Sequence, residues 1–487
     1  MKKSLLILLF IPTLCFGQGS ENTLSFNGTD SYVDLGNQVA TGVRTIELWF
    51  SPNVTLDASS VTSYIALVVR DFNYGDGAST NEFTIQFASD AGDEGKLRFA
   101  SRNGSTSYSI DSDNNSWTAG EWYHVAGVID PVTGMALYIN GIKQTETQPA
   151  NTTAIAAMTS APSDNVSIGR WGALNIRYFN GKIDEARFWT TARTQAEIRD
   201  KMCSKLTGSE PGLRAYYDFD NTSGTTLTDV TSNTYHGTLY NFTTSPWIYS
   251  GAPVGDISEH LYLANWSTAN GFELSSGLGD SLGVENCTGT TLGVEMGVHI
   301  YRVGSLPNSL TGTTASVNTH YYGVFRTDYL GTFEVDYTSN TTNCIDCSYQ
   351  LSRRDANDDM SWTGVDTLSS CSFAALNESG GTYPYRAEYY VGKVSCVGVN
   401  EYDFSAVPLY IYPNPASESV TVDLGGTAET SEMLLSVYDI TGKVIYAKNV
   451  QPNTKTVIGT GAFTNGIYKV TVGGKHKLYT APLAIIR

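Results

Sequence analysis

Charged side chains are scarce in this chain of 487 residues, at 16% against about 25% in average globular proteins. Long apolar runs are missing too, since the apolar segment at residues 5–14 is too short to span a bilayer stably. In the first half of the chain, the one convincing helix signal lies at residues 194–202, where Thr194 is predicted to cap a short amphipathic helix. These absences point away from helical membrane and cytosolic proteins. The abundance of Gly (47) and Tyr (30) favours a β-rich exported protein instead.

The charges that are present are mostly negative. The formal net charge is −18 at pH 7, and loss of Lys2 and Lys3 with an N-terminal leader would take it to −20. A surface of this sign repels phosphate groups, which excludes nucleic acid and acidic lipid as partners. Neutral glycans and bound cations remain compatible with it.

The N-terminus has the order of a secretory signal peptide. Two lysines precede the apolar segment, and small residues follow around Gly17. We assign residues 1–17 to a signal peptide that is removed on export.

Six cysteines remain after that removal. An even number in an exported chain predicts disulfide bonds, although six cysteines allow several connectivities and the sequence selects none of them. The expected effect is to stabilise residues 287–396, which hold five of the six. The candidates are Cys203, Cys287, Cys344, Cys347, Cys371 and Cys396.

Apolar residues alternate with polar ones in several short segments of the first half of the chain. These segments are rich in aromatic and β-branched side chains, which predicts strands with one buried face. Asn140-Gly141 suits the tight turn between two antiparallel strands. The predicted fold class is therefore all-β, beginning with an antiparallel β-sandwich. The clearest segments are residues 45–50, 120–128, 135–141 and 181–189.

The same segments, together with Leu24-Ser25-Phe26-Asn27-Gly28, follow the order found in one known family. Residues 18–252 resemble a laminin-G-like, concanavalin-A-like domain, and the resemblance implies a jelly-roll sandwich. Trp49, Trp122 and Trp189 alternate with polar residues on strong strands, so we expect them in the core. Such folds carry lectins, adhesion modules and glycosidases alike, so the resemblance does not select one function.

Two further modules are predicted after this domain. Residues 253–405 contain strand-like runs between Ser- and Thr-rich turns and five of the cysteines, which favours a second β-sandwich of no recognised family. Residues 406–487 alternate as strands of a small immunoglobulin-like sandwich. Their Tyr412-Pro413-Asn414-Pro415 opening and Gly466-Ile467-Tyr468-Lys469-Val470 close resemble the C-terminal sorting domain of type IX secretion cargo. This resemblance implies the type IX machinery as a partner and a location outside the cell or on the outer-membrane surface.

The carboxylates of the jelly roll do not form the pair that a glycosidase needs. Jelly-roll hydrolases place two carboxylates on alternate residues of one strand, so that both face one sugar. Asp184 and Glu185 are consecutive and would face opposite sides, while Glu47 and Glu121 stand alone on their strands. We therefore predict a non-catalytic protein, with a polysaccharide-acting hydrolase as the alternative.

A structural calcium ion is a second implication of the concanavalin-like resemblance. Asp184 stands on a late strand where such relatives hold Ca²⁺, and Asn27, Gly28 and Asp30 would supply further oxygens. Calcium takes about six to eight oxygen ligands in irregular geometry. The other interpretation is that Asp184 caps a turn or pairs with Arg187.

Three aromatic residues in predicted loops are candidates for ligand binding: Tyr74, Trp171 and Tyr178. Loops are where sandwich folds bind, and aromatic faces there can stack on sugar rings; packing against the protein is the other interpretation. The predicted function is a secreted or cell-surface protein that binds a glycan or cell-surface ligand through the jelly roll. A purely structural adhesin is a further alternative.

Overall fold

The alternating segments of the first half of the chain form two facing β-sheets in a computed structural model of the protein. The structure describes residues 21–70, 82–103, 106–145, 152, 155–158, 165–172, 176–242, 246–267, 270–277, 279–288, 295–313, 315–316, 318–327, 332–339, 347–356, 358–368, 372–379, 384–396, 407–425, 432–473 and 478–487. Within these residues the fold is almost entirely β, which confirms the predicted fold class.

The first sandwich occupies the chain up to Tyr249. Its strands are β1 (Asn22–Asn27), β2 (Tyr32–Asp34), β3 (Thr45–Pro52), β4 (Ile65–Arg70), β5 (Phe83–Phe87), β6 (Leu97–Asn103), β7 (Thr106–Asp111), β8 (Tyr123–Asp130), β9 (Gly134–Ile139), β10 (Ile142–Lys143), β11 (Val166–Ile168), β12 (Asn180–Trp189), β13 (Leu213–Tyr217), β14 (Thr226–Leu227), β15 (Gly237–Tyr240) and β16 (Trp247–Tyr249). A 3-10 turn lies at Gln38–Ala40, and helix α1 (Gln195–Met202) separates β12 from β13.

The two sheets of this sandwich are antiparallel throughout the described pairings. Sheet A has the order β10-β9-β8-β3-β12-β1-β16, with β13 also paired to β12, and sheet B has the order β14-β15-β2-β11-β4-β5-β6-β7. Alternate residues of each strand face the partner sheet. In sheet B one such row is Val68, Ile85, Phe99 and Ile110, all buried in the core between the sheets.

Two local predictions are confirmed. Asn140 and Gly141 have φ of 49° and 72° and join β9 to β10 as a two-residue turn. Thr194 caps α1, since its hydroxyl accepts from the amide of Glu197 and the Glu197 side chain accepts from the Thr194 amide. Both features depend on neighbouring residues alone, which is why the sequence predicts them.

The second sandwich follows after a short connection. Its strands are β17 (Ile257–Leu263), β18 (Phe272–Ser275), β19 (Asp280–Thr288), β20 (Met296–Val303), β21 (Ala315–Ser316), β22 (Tyr321–Arg326), β23 (Thr332–Ser339), β24 (Cys347–Arg354), β25 (Thr363–Leu368), β26 (Ser372–Ser379) and β27 (Tyr385–Cys396). One sheet has the order β17-β20-β22-β27-β24-β25, with β21 also paired to β27, and the other has the order β18-β19-β23-β26. Its core includes Leu282, Val298, Val324 and Val335.

The outer face of sheet A is covered by this second sandwich. Trp49 and Trp122 are buried as predicted, but in a cluster shared by the two sandwiches rather than between the sheets of the first. Trp49 donates from Nε1 to the carbonyl of Met202 at 2.8 Å and meets the ring of Phe325 edge-on at 5.1 Å. Residues Met1–Ser395 accordingly cluster as one compact unit. The shared cluster consists of Trp49, Trp122, Met202, Cys203, Ala252, Val254, Tyr301, Val303, Tyr321, Phe325, Trp362 and Tyr390.

Two of the disulfide candidates do not form crosslinks in this structure. Cys203 and Cys287 are buried free thiols, and they pack as small apolar side chains in the shared cluster and the second core, respectively. Cys344 and Cys371 lie outside the described residues. Disulfides among Cys344, Cys347, Cys371 and Cys396 stay a prediction.

The C-terminal unit, Cys396–Arg487, is a separate small sandwich. Its strands are β28 (Val407–Pro408), β29 (Tyr410–Tyr412), β30 (Ser419–Asp423), β31 (Met433–Tyr438), β32 (Val444–Val450), β33 (Lys455–Gly459), β34 (Gly466–Gly473) and β35 (Leu478–Ile485). Its sheets have the orders β28-β35-β34-β31-β32 and β29-β30-β33 around a core that includes Val422, Leu435 and Val470. Across the part of the chain that is described, no helix has the length and hydropathy of a membrane span.

Candidate functional site

The outer face of sheet B carries a polar recess. Because Ile85, Phe99 and Ile110 face the core, the residues beside them on β5, β6 and β7 face outward. Gln86 pairs with Arg98, and Arg98 pairs with Asp111, so these outward side chains form one row across three strands. The recess has a volume of about 90 Å³. Its lining includes Tyr64, Gln86, Arg98, Ser109, Trp171 and Arg177.

One wall of the recess is built by residues that follow β11. Trp171 donates its amide to the carbonyl of Ile176 at 2.9 Å, which holds these two residues side by side. Arg177 follows with φ of 62°, a left-handed conformation that costs a non-glycine residue about 1–2 kcal/mol. Its guanidinium lies 4.1 Å from the ring centroid of Trp171 and 4.6 Å from that of Tyr64. Arg177 thus places a cation beside two aromatic rings in the lining of the recess.

A network of ion pairs forms the other wall. Arg98 binds Asp111 through two hydrogen bonds of 2.6 Å and also contacts Asp90, which accepts a hydrogen bond from the hydroxyl of Tyr64. Burial opposes ionisation of Asp90, but the bonds from Tyr64 and Arg98 lower its pKa. A general acid needs a raised pKa, so Asp90 holds the wall in place and is unsuited to protonate a leaving group.

Gln86 supplies the most informative atom of the recess. The residue is 4% exposed, and its Oε1 is buried without a hydrogen-bond partner among the described residues. Leaving a buried acceptor unsatisfied costs about 1–3 kcal/mol, so such atoms are uncommon and call for an explanation. A ligand hydroxyl or amide that entered the recess would satisfy it.

The aromatic residues predicted from sequence take different positions. Trp171 is 2% exposed, with one ring face occupied by Arg177, so it shapes the recess rather than presenting a free platform. Tyr178 is half-buried near Tyr32 on the same outer face. There the guanidinium of Arg170 lies 3.3 Å from the Tyr32 centroid. Tyr74 lies outside the described residues.

A further aromatic pair on this face was missed from the sequence. Tyr32 stacks on Tyr240 with ring centroids 4.8 Å apart, and Tyr240 is 42% exposed. The alternation of Tyr32 and Tyr240 with core residues of β2 and β15 is the signal that could have placed them outward. In the same way, Gln86 alternates with the core residues Ile85 and Phe87 of β5, which indicates that its side chain faces outward.

The four predicted calcium ligands do not come together. Asn27 pairs with Asn180 across β1 and β12, so Asp184 lies four residues further along, about 13 Å away at the usual rise of a strand. Asn27 is bound within its own turn, where its Oδ1 accepts from the amides of Thr29 and Asp30. In the described part of the chain, no group of three or more His, Cys, Asp or Glu side chains is placed to hold a metal ion.

Asp184 instead shapes a bulge in β12. The register against β3 shifts between Asp184 and Arg187, and Glu185 has φ of 52°. The carboxylate of Asp184 accepts from the Glu185 amide at 2.8 Å and from the Ser250 hydroxyl at 2.5 Å. Arg187 pairs with Glu185 rather than with Asp184. The capping interpretation therefore fits the geometry better than the metal interpretation.

The carboxylates on the outer face of sheet A are fully buried under α1 and the second sandwich. Burial opposes ionisation of Glu47, but the hydrogen bond with His124 and the charges of Arg187 and His124 lower its pKa to about 2. Burial raises the pKa of Glu185 to about 7, although Arg187 opposes the shift. Since neither residue is more than 1% exposed, no polysaccharide can reach them.

Family comparisons identify two parts of the chain. Residues 27–199 match the concanavalin A-like lectin/glucanases superfamily, and residues 410–486 match the secretion system C-terminal sorting domain. The first sandwich is thus a laminin-G-like, concanavalin-like jelly roll, and the C-terminal unit is a type IX sorting domain. Through this sorting domain the protein is exported by the type IX secretion system to the cell surface or the extracellular space. The comparison with curated proteins finds no match.

Solved structures resemble the chain only distantly. A candidate carbohydrate-binding protein from Bacteroides ovatus is 23% identical, with a TM-score of 0.36 over 49% of this chain and 62% of its own. Tailspike protein 2 of Escherichia coli O157:H7 bacteriophage CAB120 is 12% identical, with a TM-score of 0.30 over 40% of this chain and 26% of its own. The botulinum neurotoxin serotype D binding domain is 11% identical, with a TM-score of 0.27 over 96% and 90%. The chain spans less than two thirds of the length of the first two.

Proposed function

We propose that the protein is a non-catalytic carbohydrate-binding protein of the cell exterior, and that the outer face of sheet B is its binding surface. The observation that carries the proposal is the buried Oε1 of Gln86, which has no hydrogen-bond partner among the described residues and belongs to the lining of a preformed recess. A buried carbonyl oxygen without a partner can accept a hydrogen bond from one hydroxyl group of a sugar. The rest of the sugar would then lie at the rim of the recess.

The surroundings of the recess fit a sugar better than an apolar ligand. Two hydroxyl side chains, Ser107 and Ser109, line the recess together with the guanidinium of Arg177. The exposed ring of Tyr240 lies on the same sheet face and can pack against the apolar face of a neighbouring sugar. The small volume of about 90 Å³ favours entry of one end group rather than an internal stretch of a polysaccharide.

The test measures binding of the mature chain, residues 18–487, to an array of oligosaccharides, followed by calorimetry on the best ligand. Gln86→Leu should weaken that binding about tenfold, the effect of losing about 1.4 kcal/mol. The same change should leave the free energy of unfolding equal or higher, because it removes an unsatisfied buried acceptor. Unchanged affinity in a folded Gln86→Leu protein would refute the site.

The control variant is Ser109→Ala, which alters the rim without touching the buried acceptor, and it should weaken binding less than Gln86→Leu. The hydrolase alternative is addressed with the same protein by measuring reducing ends released from the polysaccharides that bind. Steady release by the unaltered chain would overturn the non-catalytic assignment.

A further inference from the structure

A second and larger cavity lies between the two sandwiches of the first unit. It has a volume of about 710 Å³, within the range of about 300–1,000 Å³ that small-molecule sites occupy. One wall includes Trp247 and Tyr249 of β16, at the edge of sheet A. The opposite wall includes Leu306 and Asn308, which follow β20 of the second sandwich. We call this cavity the cleft.

The cleft is held open by the interface beside it. The shared cluster around Trp49 and Phe325 buries the contact between the sandwiches. Polar contacts join them as well: Lys182 lies 2.8 Å from Asp358, and Arg386 donates to the carbonyl of Gly251 at 2.5 Å. A ligand would therefore meet walls that are already in place, which lowers the entropy lost on binding.

The walls of the cleft combine flat apolar surface with hydrogen-bonding groups. Tyr249 is 45% exposed and Leu306 is 49% exposed, although both are large apolar side chains. Asn22 and Glu21 line the same cleft. Apolar rings and chains pack on the C–H face of a sugar, while amides and carboxylates accept from its hydroxyls.

The charge of the cleft selects against anions. Its described lining contains Glu21 but neither lysine nor arginine. Burial and the nearby carboxylate of Asp220 raise the pKa of Glu21, although Lys205 opposes the shift. A carboxyl group in that position is a good partner for hydroxyls and a poor one for phosphate, sulfate or uronic acids.

We infer that the cleft is a second binding site, and that it takes a neutral oligosaccharide. This inference deepens the proposed function by adding a site that the jelly roll cannot form alone, since one wall belongs to the second sandwich. It also assigns a role to residues 253–405, which would otherwise serve only to cover sheet A.

The test compares Tyr249→Ala with Tyr410→Ala in the chain 18–487, using neutral and uronic-acid oligosaccharides on an array and then calorimetry. Tyr249→Ala should lower the affinity for a neutral oligosaccharide about tenfold, or about 1.4 kcal/mol. Tyr410 is a 74% exposed tyrosine of the C-terminal unit, so its removal should change nothing. Because Tyr249 is exposed, the variant should unfold at the same urea concentration as the unaltered chain.

The experiment tests the proposed recess and the proposed cleft separately. If both sites bind, each variant weakens the binding of at least one neutral oligosaccharide. The cleft is refuted if Tyr249→Ala weakens the binding of none of them, whatever the effect of Gln86→Leu, and the recess is refuted if Gln86→Leu weakens none, whatever the effect of Tyr249→Ala. A preference for uronic-acid ligands, or no neutral oligosaccharide bound by the unaltered chain, overturns the inference about the cleft.

Discussion

Phe325→Ala should destabilise both sandwiches of the first unit, although Phe325 belongs to the second. The side chain is fully buried in the shared cluster and packs edge-on against Trp49 of the first sandwich at 5.1 Å. Truncating a buried phenylalanine removes about 3–5 kcal/mol, through lost transfer free energy and the cavity left behind. Part of that loss falls on the first sandwich, because the cavity would open against the indole of Trp49.

The assay is hydrogen exchange followed by mass spectrometry across a urea series, which reports each sandwich separately. Peptides from β8 and β9 report the first sandwich, and peptides from β19 report the second. In the variant, the unfolding midpoints of both sets should fall. Phe325→Leu, which keeps most of the apolar volume, should lower both by less. If the β8 and β9 peptides kept their midpoint while those of β19 lost theirs, the two sandwiches would be independent and the shared cluster would contribute no stability to the first.

Two further predictions concern titration and metal. Burial opposes ionisation of Asp280, but hydrogen bonds from His320, Ser276 and Tyr337 hold its pKa at about 2. The native state therefore gains about 1–2 kcal/mol, which is lost as the pH falls from about 4 through 2. Asp280→Asn should be less stable than the unaltered chain at pH 7, and the difference should shrink between pH 4 and pH 2 in urea titrations; a constant difference would contradict this. Since Asp184 lies about 13 Å from the Asn27 turn, we expect EDTA to leave the calorimetric unfolding temperature unchanged, and a drop of several degrees would support the predicted calcium site.

The sequence predicts those features that depend on neighbouring residues. The turn at Asn140-Gly141 and the capping box at Thr194 are set by two to four residues, and both form as expected. Strand alternation likewise places Ile85 and Phe99 in the core. The separation of Asp184 from Asn27 depends on the register of β1 against β12, which period-two alternation does not encode, so the expected proximity of the two residues is absent.

The candidate site could not be predicted in the same way, because its residues meet only through sheet order. Gln86 reaches Arg98 through the pairing of β5 with β6, while Arg177 reaches Tyr64 from the residues that follow β11. Period-two alternation shows that Gln86 faces away from the core. It does not show that the amide oxygen lacks a partner among the described residues, which is the observation that suggests a ligand.

The same alternation has opposite consequences on the two sheets of the jelly roll. The outward residue Trp49 of sheet A, with Trp122 just before β8, forms an apolar surface that must be covered in water, and the second sandwich covers it. Outward residues of sheet B include Gln86 and Arg98, which can face a polar ligand. The second sandwich therefore closes one face of the jelly roll to carbohydrate and forms the cleft along its edge. The two proposed sites, the outer face of sheet B and the cleft, lie outside this covered face, and a protein cut at residue 252 would lose the cleft and expose Trp49.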